Sequence, residues 1–335
     1  MHTQFMLDFP WKRITQAWPQ LVGAVAQPLC GGLINRTLRM SIQCGCDYVL
    51  QWLNPVFPPT VSDDVAAITL HLKKHSFPTF SVIPTQDGQH YLIHDVGSFR
   101  LLTYLDGDFL SVGETVTVGS ALATFHRAMA DFTHVFSHHR NIHRPREHAL
   151  HLRAVLHKYQ QHRLFQAVKP LAEQTLQHLE AQPGWDDMPV RIVHGDPKLE
   201  NFWRTKNGVT LLDLDTVGRH CVLGDLGDAG RSMCREENVF SLPMFEAFFF
   251  TYLAGSPGLT SEEIRRIPES IETIAWELTA RFLSDALEEC YFSWDSSMFP
   301  ARGEHNLHRA QREAAFAQSI SKEKNTCEKL VWSWI

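Results

Sequence analysis

The stretch Arg191-Ile192-Val193-His194-Gly195-Asp196-Pro197-Lys198-Leu199-Glu200-Asn201 decides how the rest of the chain is read. Arg191-Ile192-Val193 predicts a short apolar strand that turns through Gly195 and Pro197, so Asp196 is presented at a loop tip and not inside an element. Asn201 opens a second strand to Arg204, and a turn at Lys206-Asn207-Gly208 returns the chain through Val209–Leu214 to Asp213 and Asp215. Antiparallel strands come back to where they began, so this hairpin carries an amide at its start and carboxylates at its end. Turns favour Asp, Asn, Gly and Pro for their own reasons. A turn has no need of Lys198, however, and a strand rarely tolerates Leu211-Leu212-Asp213-Leu214-Asp215 without a use for the acids.

Phosphoryl transfer asks for these groups. An Asp at a loop tip orients and deprotonates a hydroxyl, and His194-Gly195-Asp196 with Asn201 keeps the spacing of a kinase catalytic loop. Asn201 and Asp213 offer the hard oxygens that suit Mg²⁺, and Lys198 can offset charge on a moving phosphoryl group. Asp225 and Asp228 are expected to begin a helix after Gly224, with Asp225 also placed to brace the loop.

Outward from this island, the first hundred residues predict a small sheet with one helix. Leu21–Val25 is expected as a strand. Thr37, Arg39, Ser41 and Gln43 alternate with Leu38, Met40 and Ile42, the period of a half-buried strand, and Tyr48–Leu53 is its antiparallel partner. A helix starts near Ser62, with Asp63 and Asp64 at its positive end, and runs to about His75. Strands follow near Thr79–Ile83, His90–His94 and Arg100–Leu105. Helical texture then dominates: Val116–Ala130, Glu147–Leu179, and Leu226–Trp334 with breaks at Gly255–Gly258 and Ser296–Gly303. The expected fold class is α+β, with a β-rich N-lobe over 1–107, a hinge near 102–107, and a mainly helical C-lobe over 108–335.

A net charge of −6 argues against a general nucleic-acid or membrane-surface binder. The N-terminus has no basic start followed by an apolar run, and Phe245–Ala254 is too short to span a bilayer. Seven cysteines without a C-x-x-C pair point to reduced thiols and a cytoplasmic setting. The 19 histidines, among them His71, His75, His126 and His157, are expected in structural or solvent-facing roles. The expected partner is a small molecule with a hydroxyl acceptor, with neither nucleic acid nor membrane, and the chain a monomer or homodimer.

Around Asp196 and Asp213 the chain resembles the aminoglycoside phosphotransferase and choline kinase-like family over nearly its whole length. That family has a reduced protein-kinase fold. Three stretches are similar to its N-acetylhexosamine 1-kinase-like branch: Gly32-Leu33-Ile34-Asn35 with Tyr48-Val49-Leu50-Gln51, Leu212–Val217 running into Asp225-Leu226-Gly227-Asp228, and His305–Ala310. The resemblance implies an ATP- and Mg²⁺-dependent small-molecule kinase acting on a hydroxyl of a sugar or amino sugar. The alternatives are an amino alcohol, hydroxy amino acid or aminoglycoside kinase, or a silent nucleotide-binding relative. It implies Asp196 as catalytic base helped by Lys198, and Asn201 and Asp213 as magnesium ligands. Leu102, Tyr104 and Leu105 become the hinge that meets adenine, and Gly31, Gly32 and Asn35 the phosphate-facing turn. Gln51 stands where protein kinases carry a lysine, and Arg39 on the neighbouring strand is the candidate substitute cation. Arg309 and Arg36 fall on the acceptor side. Leu33 and Arg36 stand where the hexosamine branch carries His and Asp. For a cationic acceptor the implied acids are Glu236, Glu237, Asp285, Glu288 and Glu289.

Overall fold

A computed structural model describes residues 9–29, 35–43, 45–138 and 142–334. The chain divides into two compact units. One comprises Met1–Phe109, Asp131–Arg140 and Phe202–Asp215, and the other Leu110–Ala130, Asn141–Asn201 and Thr216–Ile335.

In the first unit, the short helix α1 (Trp11–Ala17) precedes an antiparallel sheet. Its strands are β1 (Val25–Pro28), β2 (Arg36–Ser41), β3 (Asp47–Leu53), β4 (Val82–Ile83), β5 (Leu92–His94) and β6 (Gly97–Thr103). They lie in the order β1-β2-β3-β6-β4, with β5 also on β6. The register sets Leu38 opposite Leu50 and Leu50 opposite Leu101. This apolar row is buried with Ile14, Trp18, Met40 and Phe99. Because side chains alternate, the same register sets Thr37 opposite Gln51 and Gln51 opposite Arg100, a polar row on the other face.

Leu21–Val25 is not a strand. Pro19–Leu21 forms a helical turn, Leu21 is buried, and pairing begins only at Val25. Proline fits the first position of such a turn, and burial of Leu21 overrides the apolar run's extended preference. Helix α2 (Val61–Lys74) carries Asp63 and Asp64 in its first turn. Asp64 is buried and accepts from the backbone N–H and hydroxyl of Ser137 and from His134 at 2.8 Å, which ties the 131–138 segment to α2. The expected hairpin is present as Phe202–Thr205 and Gly208–Leu211, and strand Gly107–Phe109 pairs on its outer side. Gly107 is required there, since a Cβ would lie 1.9 Å from the Arg204 carbonyl oxygen.

The second unit is mainly helical. Its helices are α3 (Thr115–Ala128), α4 (Pro145–Lys158), α5 (Phe165–Ala181), α6 (Val222–Met233), α7 (Leu242–Gly255), α8 (Ser261–Arg265), α9 (Ile267–Glu288) and α10 (Arg302–Ser333). Helix α9 is buried along most of its length, including Trp276, Ala280 and Leu283, and packs against α4, α5, α6 and α10. Of the aromatics near it, Trp276 is in the core while Tyr291 is half exposed. Strand Val190–Val193 pairs with Gly218–Cys221. That strand feeds α6 directly, so the helix begins at Val222, before Gly224, and draws Asp225 into its buried first turn. Among the described residues no helix is long and apolar enough to cross a membrane.

Candidate active site

In the helical unit the loop after Val193 is built on one buried carboxylate. Asp225 accepts from the backbone N–H of His194 at 2.6 Å and of Gly195 at 2.8 Å, and from His126 Nε2 at 2.9 Å. His126 Nδ1 lies 2.8 Å from the Tyr252 hydroxyl, continuing the chain of bonds into α7. Burial alone would push the Asp225 carboxyl up. The hydrogen bond from His126 and the neighbouring His126 and His194 outweigh it and hold the group below the ordinary carboxylate range. From the other side, the Thr216 hydroxyl donates to the His194 carbonyl at 2.9 Å. Gly195 bends the loop at φ +88°, in the left-handed region, with Thr216 close behind it.

This frame presents Asp196, Lys198 and Asn201 together. Lys198 Nζ donates to Asp196 Oδ2 at 2.5 Å. Asn201 Nδ2 donates to the Asp196 backbone oxygen at 2.7 Å and to Oδ2 at 3.2 Å. With its amide nitrogen committed to Asp196, Asn201 turns its carbonyl oxygen elsewhere, the donor type a hard cation takes. Leu199 N–H donates to the Ser232 hydroxyl at 2.9 Å, fixing the helical turn that carries Asn201. Behind the loop, buried Asp228 is opposed by desolvation, yet Arg231, His143 and Lys198 keep it ionised, below its usual range.

In the sheet unit a second buried constellation surrounds Asp215. Arg100 grips it with both ends of its guanidinium, Nη1 to Oδ1 at 2.5 Å and Nη2 to Oδ2 at 2.9 Å. Asn35 Nδ2 adds a bond to Oδ2 at 2.9 Å, and Asn35 Oδ1 accepts from the Asn54 N–H. The Arg100 side chain is 2% exposed and that of Asp215 is fully buried, so this is a bidentate pair taken out of water. Arg100 Nε donates to Gln51 Oε1 at 2.7 Å, and Gln51 Nε2 reaches the Thr37 hydroxyl at 3.4 Å. Gln51 is therefore the acceptor for a cation on the adjacent strand. Asp213, two residues before Asp215, sits at φ +56°, a backbone state that non-glycine residues adopt at a cost.

Arg39 pairs with Asp47 at 2.5 Å and lies 4.2 Å over the Tyr104 ring, and the Asp47 hydrogen bond raises its pKa. Leu102 is buried between Val49 and Val82, the Tyr104 N–H donates to the Asp47 carbonyl, and the Leu105 carbonyl accepts from the Trp203 indole at 3.2 Å. Arg36 lies 4.7 Å over the Trp52 ring. Gly31 and Gly32, with Leu33, lie outside the described residues. Arg309, on α10, donates to the Ser293 carbonyl at 2.7 Å and to Asn306 Oδ1 at 3.2 Å, and burial lowers its pKa.

Of the acids considered for a cationic acceptor, Glu237 occupies a left-handed turn at φ +54°. Asp285 accepts four bonds, from the N–H groups of Cys290, Tyr291 and Phe292 and from Asn306. Glu288 meets His151, Glu289 meets His162 and Arg163, and Glu236 accepts from Ser241. Sequence reasoning assigned no part in the site to Arg100, Tyr252 or Ser232, and named His126 only among structural histidines. Arg100 alone of these left a signal, a charge between Phe99 and Leu101 in an otherwise uncharged strand.

An antiparallel sheet, a helical unit with a His-Gly-Asp loop, and a hairpin ending in Asp213-Leu214-Asp215 define a protein-kinase-like fold. The profile of the phosphotransferase enzyme family matches residues 25–263, and the chain belongs to that family. It is a phosphotransferase. Solved structures agree on the fold. An amicoumacin kinase is 14% identical with a TM-score of 0.63, covering 94% of this chain and 96% of that one. A microcompartment-associated aminopropanol kinase is 16% identical with a TM-score of 0.63, covering 95% and 98%. A choline/ethanolamine kinase family protein from Mesorhizobium loti is 18% identical with a TM-score of 0.56, also covering 95% and 98%. No curated protein matches the chain in sequence.

Proposed function

We propose that the chain moves the γ-phosphoryl group of ATP, in the presence of Mg²⁺, to a hydroxyl of a sugar or amino sugar. The observation that carries the chemistry is the Asp196 cluster. Lys198 and Asn201 both fall on Oδ2, so Oδ1 is the oxygen assigned to take the substrate proton. Asp225 holds the loop's backbone from behind, which keeps Asp196 in one orientation through the reaction. Asn201 and Asp213 would hold magnesium, which when bound offsets charge on the β- and γ-phosphates. Lys198 adds a positive charge beside the base, and Arg100 supplies the fixed cation of the sheet unit in place of a lysine at Gln51.

The acceptor class rests on the resemblance to the hexosamine branch. Of the acids a cationic acceptor would use, Asp285 is filled by four bonds, and Glu288, Glu289 and Glu236 already hold a histidine, an arginine or a hydroxyl. A neutral polyol needs none of them. Arg309 is the residue of the helical unit assigned to the acceptor's hydroxyls, and Arg36 is assigned to the acceptor from the sheet unit. The fold's likeness to aminopropanol and choline/ethanolamine kinases favours an amino alcohol as the second reading.

ADP release across a panel of sugars, amino sugars, amino alcohols and aminoglycosides with Mg²⁺·ATP separates these readings. Turnover of an amino alcohol alone would sink the sugar assignment. For the base, Asp196→Asn is expected to lower kcat by roughly 10²–10⁴-fold while nucleotide affinity stays near that of the parent. A variant with near-parental turnover would remove Asp196 from that role.

A further inference from the structure

We infer that His71, His75 and Asp131 form a binding site for a divalent transition ion, with zinc the natural occupant. The site is separate from the phosphotransfer residues and lies wholly within the sheet unit. His71 lies in the last turn of α2 and His75, four positions on, is the residue that caps the helix, its N–H donating to the His71 carbonyl, so the two imidazoles stand one turn apart. Their ring centroids are 4.5 Å apart. Both present Nε2 to the same atom, Asp131 Oδ1, at 3.2 Å from His71 and 3.3 Å from His75. All three ligand atoms lie within 4.8 Å of one another.

Single histidine–carboxylate pairs elsewhere run from 2.8 Å at His90–Asp63 and His134–Asp64 to 3.2 Å at His143–Glu277 and His162–Glu289, so the mark of this cluster is two imidazoles converging on one carboxylate oxygen. A four-coordinate zinc with bonds of about 2.0–2.1 Å has ligand–ligand edges of about 3.3 Å. The two distances to Asp131 match that edge. Two imidazoles with one carboxylate suit zinc and its neighbours over magnesium or calcium, which take all-oxygen sets.

Room for the remaining position is present. His71 and Asp131 border a pocket of about 270 Å³, lined also by Leu70, Lys74, Phe132 and Thr133. His134 borders it too but is held by Asp64, so it leaves the fourth place to water or a small ligand. Helix α2 carries His71 and ends on His75, and Phe132 packs 4.8 Å from His71, orienting the first imidazole. Ion binding would fasten Asp131 to α2, as Asp64 already fastens Ser137.

The test uses the full chain, stripped with a chelator and titrated with Zn²⁺ and Co²⁺ without nucleotide. The expected result is one equivalent bound at micromolar affinity or tighter. Co²⁺ should give visible d–d bands of four-coordinate character without a sulfur charge-transfer band. His75→Ala and Asp131→Asn, both at exposed positions, should each weaken binding at least about 10-fold, with ADP release unchanged. A rise in unfolding temperature on adding Zn²⁺ should appear in the parent and vanish in both variants. Zn²⁺ binding equally well to the parent and both variants, a thiolate band with Co²⁺, or no binding by 100-fold above micromolar concentration would each overturn the site.

Discussion

Asp196 owes its position to the residue before it. Gly195 turns the chain at φ +88°, and a Cβ there would lie 2.4 Å from the Thr216 carbonyl oxygen. An L side chain at such a φ costs about 1–2 kcal/mol before any clash, and this clash is with backbone, which cannot swing aside. Gly195→Ala is therefore expected to lose about 2–4 kcal/mol of stability and at least tenfold in kcat, because displacing Thr216 also displaces the oxygen bond it gives His194. Denaturant unfolding and steady-state ADP release would check both. Parental rates in a destabilised variant would show that the loop tolerates the shift. At this scale the sequence was most legible. Asp196, Lys198 and Asn201 fall within six positions, so a tight turn is enough to bring them together, and their spacing carries the geometry. The expected brace by Asp225 is present, although the helix that carries it starts at Val222 and not after Gly224. Its partners His126 and Tyr252 were not legible, because 99 and 126 positions separate the bonded pairs, and nothing local marks either residue.

Between elements, the polar row Thr37–Gln51–Arg100 depends on register, which alternation in β2 and β3 predicts but does not join to β6. Gln51 stands where protein kinases carry a lysine, and from the sequence Arg39 is the candidate substitute cation. The structure gives Arg39 to Asp47 and Tyr104 and sets Arg100 opposite Gln51. Removing one partner of a buried pair typically costs about 3–5 kcal/mol because the other charge is left alone, whereas replacing both with apolar residues costs far less. Arg100→Met and Asp215→Leu should each destabilise on that order, and the double variant should fall well short of their sum. Such a cycle in thermal or denaturant unfolding measures the coupling, and additive losses would mean the two side chains act independently. Arg100→Lys should fold but keep only one of the two bonds to Asp215. If the grip on Asp215 positions Asp213, this variant needs more Mg²⁺ for half-maximal rate with little change in acceptor KM. The histidines give the converse lesson. They are scattered singly along the sequence, and what brings His71 beside His75 is the last turn of α2 and its cap. The third member, Asp131, lies 56 positions beyond His75 and could only be supplied by the fold.

For the whole molecule, the buried charges predict how stability depends on pH. His143 is opposed by burial, yet its hydrogen bond to Glu277 and the Glu277 and Asp228 charges raise its pKa above the ordinary histidine value. A raised folded pKa means that its stabilisation is complete below the unfolded value of about 6.5 and is lost as pH rises through the folded one. Asp225 and Glu263 run the other way. Desolvation pushes each up, but His126 holds Asp225 down and Arg191 holds Glu263 down, so each contributes fully above the unfolded carboxylate range near 4 and loses its contribution as pH falls through the depressed value. The stability maximum should then lie between these limits, with an acid limb set by carboxylates and a shallower alkaline one set by His143. His143→Gln lowers the maximum and removes the alkaline limb, because a glutamine binds no proton in either state. Glu277→Gln does the same by taking away the charge that raises His143. Denaturant unfolding from pH 4 to pH 9 would read both limbs, and an alkaline limb that persists unchanged in both variants would assign it to another group. The acid limb should survive in both, since Asp225 and Glu263 draw their partners from His126 and Arg191, neither of which bonds to Glu277.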